Sequence, residues 1–363
     1  MLATLLLALR RPLPRLGLVA GLGVAALLAA AGCVHRDAEV QPAVPGTEQP
    51  ANFPAMVYGL DRNPPDAAAF ALGRQLFYDT RLSVDNSTSC GSCHQSFAAF
   101  AHSGHRLSHG AGGALGTRNA PALQNLRWRQ SLMADGGVLS LELQPLAPLA
   151  DAAELHLPLA DALARLNADA GYRARFEAVY GPGPITTQQF LRALTQFTAA
   201  LTSSNSRYDH YVRHESGGTL SPQELSGLAT FQAKCSSCHA TDLFTDESFR
   251  NNGLDRTFAA DSGRARITFK PADAGRFRVP SLRNVALTAP YMHDGRFQTL
   301  PDVLAHYDHG VVPSATLDPL LRQPGGQPGI PLSAQEQTNL LAFFNTLTDN
   351  DFTADRRLLA PKP

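Results

Sequence analysis

The sequence has no excess of either charge, since 31 lysines and arginines balance 31 aspartates and glutamates. No basic patch of the kind that attracts nucleic acid is present, so nucleic acid is excluded as a partner. Alternation of apolar and polar residues, the signature of half-buried strands, is sparse. The 26 prolines and 29 glycines punctuate long loops between segments of helical periodicity. The composition therefore predicts a mainly α-helical fold with long loops and little strand.

Cysteine is scarce, and four of the five cysteines lie in two Cys-x-x-Cys-His motifs. The motif residues are Cys90, Cys93 and His94 in the first half and Cys235, Cys238 and His239 in the second. This spacing is the attachment signature of c-type haem, in which the cysteines form thioethers to one porphyrin and the histidine binds the iron. The alternatives are a structural zinc site, a redox dithiol and plain disulfides. Zinc sites pair their Cys-x-x-Cys units about 15–20 residues apart, and a thioredoxin-like dithiol follows a strand. Two covalently bound haem c groups are therefore the prediction.

The N-terminus has the pattern of a secretory signal. Arg10, Arg11 and Arg15 flank the start of an apolar run over 16–31, and small residues precede Cys33. This pattern predicts a lipoprotein signal peptide over 1–33, with lipid on Cys33 anchoring the chain to a membrane in the periplasm. The alternatives are an ordinary signal peptide and an uncleaved anchor helix. Export agrees with c-type haem, which is attached outside the cytoplasm.

The rest of the chain divides into a linker and two halves. Residues 34–58 lack periodicity and predict a flexible tether. The remainder predicts two tandem cytochrome c-like domains over 59–205 and 206–363. Capping residues predict one helix that begins at Thr186 or Thr187 and another that begins at Ser333.

An internal duplication supports the two-domain prediction. The segments 121–126 and 280–285 match, and each is followed by Met-x-Asp-Gly, at Met133 and Met292. The offset between the two copies is 159 residues throughout this stretch. We interpret the halves as two copies of one small haem domain.

The duplication predicts that the two irons differ. In the second half His306, Tyr307 and His309 are candidates for the second axial ligand. The position that matches Tyr307 in the first half is Pro148, which has no side-chain donor. The first iron is therefore expected to keep an open position where peroxide binds, whereas a closed second iron suits electron transfer.

Two further groups could act at the first haem. His102, His105 and His109 follow His94 closely, and one of them could close the iron in a resting form; the alternative is that all three are exposed loop residues. Glu154 lies six residues after Pro148 and could move a proton between the peroxide oxygens; the alternative is a solvated carboxylate.

These residues together resemble the bacterial dihaem cytochrome c peroxidases and their relative MauG, the dihaem enzyme of methylamine utilisation. The resemblance covers roughly residues 66–350. It includes both Cys-x-x-Cys-His motifs, and its other matching segments are 72–77, 116–121, 135–136, 277–284 and 288–295.

The resemblance implies a role for each matching residue. The N-terminal haem would be the peroxidatic one, lined by Gln144, Pro148 and Glu154, and the C-terminal haem would transfer electrons. Tyr307 matches the distal ligand of MauG, with Met292 as the fallback. His109 matches the displaceable ligand of the first haem. The calcium ligands of the family would be Asn119, Thr288 and Pro290.

One position departs from the family, because the usual inter-haem tryptophan is replaced by Ala134 and the only tryptophan is Trp128. The sequence thus predicts an enzyme that reduces hydrogen peroxide with electrons from a small cytochrome c or cupredoxin. The alternatives are MauG-like oxidation of a protein or other organic substrate, and a dihaem electron carrier without peroxidase activity. A homodimer is left open.

Overall fold

The computed structural model describes residues 44–59, 61–323 and 325–362. The predicted signal peptide, Cys33 and the first part of the predicted tether lie outside the described residues. Within the described residues, no helix combines the length and the apolar character that crossing a membrane requires.

The described chain is mostly helices joined by long loops and 3-10 turns. The helices are α1 Ala67–Phe77, α2 Cys90–Cys93, α3 Leu146–Ala150, α4 Leu159–Ala168, α5 Ala170–Tyr180, α6 Thr187–Ala199, α7 Arg207–Val212, α8 Pro222–Lys234, α9 Ala265–Thr268, α10 Leu300–Ala305, α11 Ala334–Asn345 and α12 Asn350–Ala354. A single turn of π-helix, His306–Gly310, continues α10. Strands β1 Phe249–Arg250 and β2 Phe277–Arg278 pair antiparallel, with Phe249 opposite Arg278. The prediction of a mainly α-helical chain with little strand is confirmed.

The two capping predictions are also confirmed. Thr186 caps α6 and exchanges hydrogen bonds with Gln189, and Ser333 caps α11 and exchanges hydrogen bonds with Glu336. Each cap satisfies backbone N–H groups that a helix start leaves without partners.

The duplication appears as two equivalent helix pairs, α1 with α6 and α8 with α11. In the first pair, a Cβ on Gly73 would lie 1.9 Å from the carbonyl oxygen of Ala193. In the second pair, a Cβ on Gly227 would lie 2.0 Å from the carbonyl oxygen of Asn339. Only glycine permits backbones this close. Both halves therefore cross their helices at a glycine.

An aromatic contact lies beside each glycine crossing. The Phe77 and Phe197 rings are 4.9 Å apart in the first half, and the Phe231 and Phe343 rings are 5.3 Å apart in the second. Phe197 and Phe343 both lie four residues after the residue whose carbonyl meets the glycine. Each pair is part of the main hydrophobic core of its half.

The flexible-tether prediction does not hold for the described residues 44–58, which pack against the body of the protein. Phe53 is buried and meets Trp128 edge-on at 5.1 Å. The indole N–H of Trp128 donates to the carbonyl of Pro54 at 2.8 Å, and Asn52 donates to Asp209 at 2.8 Å. The segment is held because burial of its aromatic side chains offsets the cost of ordering it.

The end of the chain returns to the first half. Phe352 and Leu358 belong to the hydrophobic core that α1 and α6 build, and the Tyr78 hydroxyl donates to the carbonyl of Leu358 at 2.8 Å. The described residues after 41 therefore form one compact unit in which packing crosses the predicted boundary at 205/206. The domain boundary at 205/206 therefore stays a prediction that rests on the internal duplication of the sequence.

Candidate haem sites

The first Cys-x-x-Cys-His motif forms the short helix α2 and the residue after it. Ser89 caps this helix and exchanges hydrogen bonds with Ser92. His94 follows at the helix end, where its Nδ1 lies 2.8 Å from the carbonyl of Phe100. Cys90 and Cys93 are free thiols in this structure.

The second motif repeats this arrangement at the end of α8. The Nδ1 atom of His239 lies 3.0 Å from the carbonyl of Phe244 and 3.1 Å from that of Pro280. In the first half the carbonyl of Pro121, the duplicate of Pro280, is also a hydrogen-bond acceptor for His94. A carbonyl can only accept, so Nδ1 carries the proton in both histidines and Nε2 is left for a metal. This is the usual support of a metal-bound histidine.

The electrostatics of both motifs fit neutral metal ligands. Burial lowers the pKa of His94 to about 4 and also lowers the pKa of His239, so both imidazoles are neutral at pH 7. Burial raises the pKa of Cys90 and of Cys235 to about 12 in each case. A buried thiolate would be costly, whereas a thioether carries no charge. Both sites therefore fit a covalently attached haem.

The zinc and disulfide alternatives find no support in the described residues. Cys90, Cys93, Cys235 and Cys238 are all free. In the described part of the chain, no three His, Cys, Asp or Glu side chains are grouped to hold a metal ion.

Glu154 lies close enough to the first motif to act on its cysteines. Burial is the main cause of the raised pKa of Cys90, and the charge of Glu154 adds to it. Burial, followed by the charge of Asp151, raises the pKa of Glu154 itself to about 7. A carboxyl that titrates near neutral pH can both accept and return a proton.

A glycine-rich loop packs on the backbone of Glu154. The Ala111 N–H donates to the carbonyl of Glu154 at 2.8 Å. A Cβ on Gly110 would lie 2.5 Å from that carbonyl oxygen and 2.2 Å from that of Ala153. The glycine thus permits the loop after His109 to hold Glu154 in place.

Gln144 and Pro148 lie on the segment that leads into Glu154. Pro148 is within α3, and its carbonyl accepts from the Leu155 N–H at 3.1 Å, which folds the chain back toward α3. The Gln144 amide nitrogen lies 4.0 Å from the sulphur of Met133. The structure thus brings the duplicated Met-x-Asp-Gly segment against the predicted peroxide pocket, a contact that sequence reasoning did not identify.

The three histidines of the first half form a cluster. The His102 and His105 rings stack at 4.8 Å, and the His105 and His109 rings meet edge-on at 5.5 Å. His102 is buried, with Nδ1 2.9 Å from the Ser108 hydroxyl, and its pKa is lowered by burial and then by His105 and His109. His105 and His109 are exposed. Ligation of the first iron by His109 stays a prediction.

The three candidate ligands of the second haem have different environments in the structure. The His306 ring nitrogen Nε2 lies 3.0 Å from the carbonyl of Asn252, and His309 is exposed beside Asp308. Burial raises the pKa of Tyr307 to about 12, with the Asn252 side chain acting in the opposite direction. The charges of Cys238 and Cys235 add to the rise, so Tyr307 lies near the second motif.

Asn252 connects the two alternative ligands, Tyr307 and Met292. Besides its action on the Tyr307 hydroxyl, its side-chain amide donates to the sulphur of Met292 at 3.3 Å. Sequence reasoning missed this residue. The signal was an Asn-Asn-Gly turn directly after β1, a pattern that by itself does not indicate a haem pocket.

The predicted calcium ligands come from neighbouring loops of the two halves. The Asn119 N–H donates to the carbonyl of His293 at 2.8 Å, three residues after Pro290, whose bond to Ala289 is cis. The Asn119 amide nitrogen donates to the carbonyls of His105 and Arg106 at 3.4 and 3.2 Å, which leaves the amide oxygen for a cation. An amide oxygen and backbone carbonyls are ligands that suit calcium.

The position of the missing tryptophan is occupied by backbone contacts between the halves. The carbonyl of Ala134 accepts from the Arg278 N–H at 2.8 Å. Trp128 points elsewhere, into the cluster with Phe53 and Leu243. The indole of Trp128 therefore does not substitute for the family's tryptophan, whose position Ala134 holds.

Comparisons with known proteins agree with these sites. A family model described as di-haem cytochrome c peroxidase matches residues 67–217. The methylamine utilization protein MauG of Methylophilus methylotrophus is 31% identical over 294 residues, covering 78% of this chain and 84% of that protein. The cytochrome c peroxidase Ccp of Escherichia coli K12 is 35% identical over 245 residues, covering 65% of this chain and 52% of that protein. A crystal structure of a MauG-like protein associated with microbial copper homeostasis is similar with a TM-score of 0.78 and 36% identity, covering 86% of this chain and 98% of that one.

Proposed function

Because this chain belongs to the family of di-haem cytochrome c peroxidases, oxidoreductases with peroxidase activity, we propose that it reduces hydrogen peroxide to water. One peroxide, two electrons and two protons would give two waters. The electrons come from a small redox protein, a cytochrome c or a cupredoxin. His239 would hold the haem that receives these electrons, and His94 would hold the haem at which peroxide binds. The observation that carries the proposal is the contrast between Pro148 with Glu154 in one half and Tyr307 in the other.

The haem on His94 would supply an iron that binds peroxide and passes it electrons. Pro148, which has no side-chain donor, would offer that iron no ligand. Glu154, with a pKa of about 7, accepts the proton of the inner peroxide oxygen and returns it to the outer oxygen, so that water leaves. Gln144 helps to orient the bound peroxide.

The test is haem content and turnover in matched variants. The wild-type chain should carry two haems by pyridine haemochrome assay. His94→Gly should abolish peroxide turnover while the second haem stays attached. Two haems without any peroxide reduction would instead support the electron-carrier alternative.

A second candidate function is MauG-like oxidation of a protein or other organic substrate. The partly buried Tyr307 beside Asn252 favours it, and so does the likeness to a MauG-like protein associated with copper homeostasis. Ala134 weighs against it because the usual inter-haem tryptophan is missing. The two functions differ in what peroxide does without an added donor. A peroxidase stays oxidised, whereas a MauG-like enzyme modifies a partner protein, which mass spectrometry detects.

Three further features belong to the proposal. A calcium ion would bind Asn119, Thr288 and Pro290.

Lipid on Cys33 would anchor the mature chain to a membrane on the periplasmic side, and metabolic labelling with a fatty acid in wild type and Cys33→Ser tests it. A homodimer is the remaining expectation, and light scattering of the purified protein measures it.

A further inference from the structure

Two arginines, one from each half, lie together beside the second haem motif without enough negative charge to balance them. Arg278 is on β2, and its side chain is 5% exposed. Its nearest carboxylate, Glu247, lies 3.4 Å away, which is long for an ion pair between buried groups. The Arg278 Nε atom is buried and has no hydrogen-bond partner among the described residues.

Arg129 contributes a second positive charge nearby, because it directly follows Trp128, which packs against Leu243 just after the second motif. Its pKa is lowered by burial, and Glu247 is the acidic group that opposes this fall. Burial lowers the pKa of Arg278 to about 9, and the like charge of Arg129 adds to the fall. One carboxylate, Glu247, thus serves two guanidinium groups.

The other acidic group nearby is already committed. The charge of Asp135, in the first half, opposes the fall in the pKa of Arg278. Asp135 is, however, already paired with Arg118 and with Arg266, each at 2.6 Å. A buried cation without a matching anion is strongly unfavourable. An arginine keeps its proton in proteins, so the balance has to come from an anion.

The surplus charge lies on segments that contact the second haem motif. Two residues after Arg278, the carbonyl of Pro280 holds the Nδ1 proton of His239. The Thr245 hydroxyl donates to the carbonyl of Val279 at 2.6 Å. The N–H of Asp246, next to Glu247, donates to the carbonyl of Cys238 at 2.9 Å. Both Arg278 and Glu247 are therefore fixed to segments that touch the motif.

We propose that Arg129 and Arg278 together bind a propionate carboxylate of the haem attached at Cys235 and Cys238. The inference rests on the haem assignment in the proposed function. A guanidinium binds a carboxylate with two parallel hydrogen bonds, and the Nε atom of Arg278 supplies a donor that no group of the described residues accepts. Because Arg129 belongs to the first half, one propionate ties both halves to the second haem.

The proposal predicts the sign of three changes in reduction potential. A positive charge near a haem favours the reduced iron, so Arg129→Gln and Arg278→Gln should each favour the oxidised second haem. The expected change is about tenfold in the ratio of oxidised to reduced haem at a fixed potential, or about 59 mV for one electron. Glu247→Gln should change the ratio in the opposite direction. The first haem should change less.

The experiment is a spectroelectrochemical titration of the full chain with both haems, accompanied by resonance Raman of the propionate bending mode. Arg276→Gln is the matched control, since Arg276 lies two residues away, is half exposed and pairs with Asp273 at 3.9 Å. Arg278→Lys keeps the charge and should keep a potential near that of wild type. Its propionate band should shift because the bidentate contact is lost.

The outcomes separate this inference from the proposed function. If Arg129→Gln and Arg278→Gln change the second haem no more than Arg276→Gln does, the site is refuted. Loss of the second haem in Arg278→Gln but not in Arg278→Lys supports it. Loss in both, with an unchanged potential in Arg129→Gln, overturns it. The potentials are measured without peroxide, so a chain with both haems but no peroxide turnover would refute the function alone.

Discussion

At the scale of single residues, the two copies of the same sequence motif have different surroundings. Both proximal histidines direct Nδ1 at backbone carbonyls, so the duplicated motif alone does not distinguish the haems. Each half places a different partly buried group near its motif, the Glu154 carboxyl in the first half and the Tyr307 phenol in the second.

The first prediction concerns Glu154. Glu154→Gln keeps the shape of the side chain and removes its titrating proton, so peroxide turnover should fall by about 10²–10⁴-fold. Haem content and the rate at which the donor passes an electron to the oxidised second haem should not change. Glu177→Gln, on the exposed face of α5, is the matched control. Stopped-flow mixing with peroxide measures the effect, and a change below about threefold would make Glu154 a bystander.

The pH profile gives an independent test of the same carboxyl. Its pKa of about 7 is above the ordinary value, so below pH 7 Glu154 holds a proton and cannot accept one from peroxide. Turnover should therefore rise as the pH is raised through about 7, and Glu154→Gln should lose this rise. Asp151→Asn removes a neighbouring negative charge, lowers the pKa of Glu154 and should move the profile to lower pH. A profile that stays in place in Asp151→Asn would contradict this electrostatic account.

The second haem allows a paired prediction on its distal ligand. Tyr307→Phe should alter the optical and EPR spectra of the second haem and leave those of the first unchanged, because Tyr307 lies near Cys235 and Cys238. Met292→Leu should have a smaller effect, and His309→Ala, at an exposed position, should have none. The reverse order of Tyr307→Phe and Met292→Leu would assign the ligand to Met292.

At the scale of elements, each half depends on one close helix crossing. Glycine inside a helix normally costs about 1 kcal/mol relative to alanine. At Gly227 in α8 the sign should reverse, because a Cβ would lie 2.0 Å from the Asn339 carbonyl oxygen and 2.7 Å from the Phe343 Cβ. The helix pair would have to separate to accept it.

Gly227→Ala should therefore lower the free energy of unfolding by about 1–3 kcal/mol, the usual cost of overpacking a core. Ser226→Ala, on the exposed face of the same helix, is the control. Denaturant unfolding of the haem-loaded protein measures both. A Gly227→Ala chain as stable as Ser226→Ala would show that α8 and α11 can separate at little cost.

Local signals explain which elements could be predicted from the sequence. The caps Thr186 and Ser333, and both haem motifs, are patterns within a few residues, and they were found. The packing of Phe53 on Trp128 and of Leu358 beside Tyr78 joins residues far apart in the chain, which no local pattern encodes. Asn252, Arg129 and Arg278 were missed for the same reason.

At the scale of the whole molecule, contacts between the halves cluster around the duplicated Asp-Gly segments. Asp135 of the first copy binds Arg266 of the second half at 2.6 Å. Asp294 of the second copy pairs with Arg106 of the first half at 3.2 Å. Each copy of the duplicated segment thus forms an ion pair with the opposite half.

The last prediction concerns calcium at this boundary. Asn119 belongs to the first half and Thr288 and Pro290 to the second, so an ion bound by all three would fix the distance between the haems. Exhaustive chelation should lower peroxide turnover, and added calcium should restore it. Asn119→Ala should reproduce the loss at ordinary calcium concentrations, while Asn345→Ala, at the exposed end of α11, should not. Calorimetric titration of the chelated protein measures binding directly. If chelation changes neither turnover nor the spectra of the haems, the hydrogen bond from Asn119 to His293 is enough to hold the halves, and no calcium site exists there.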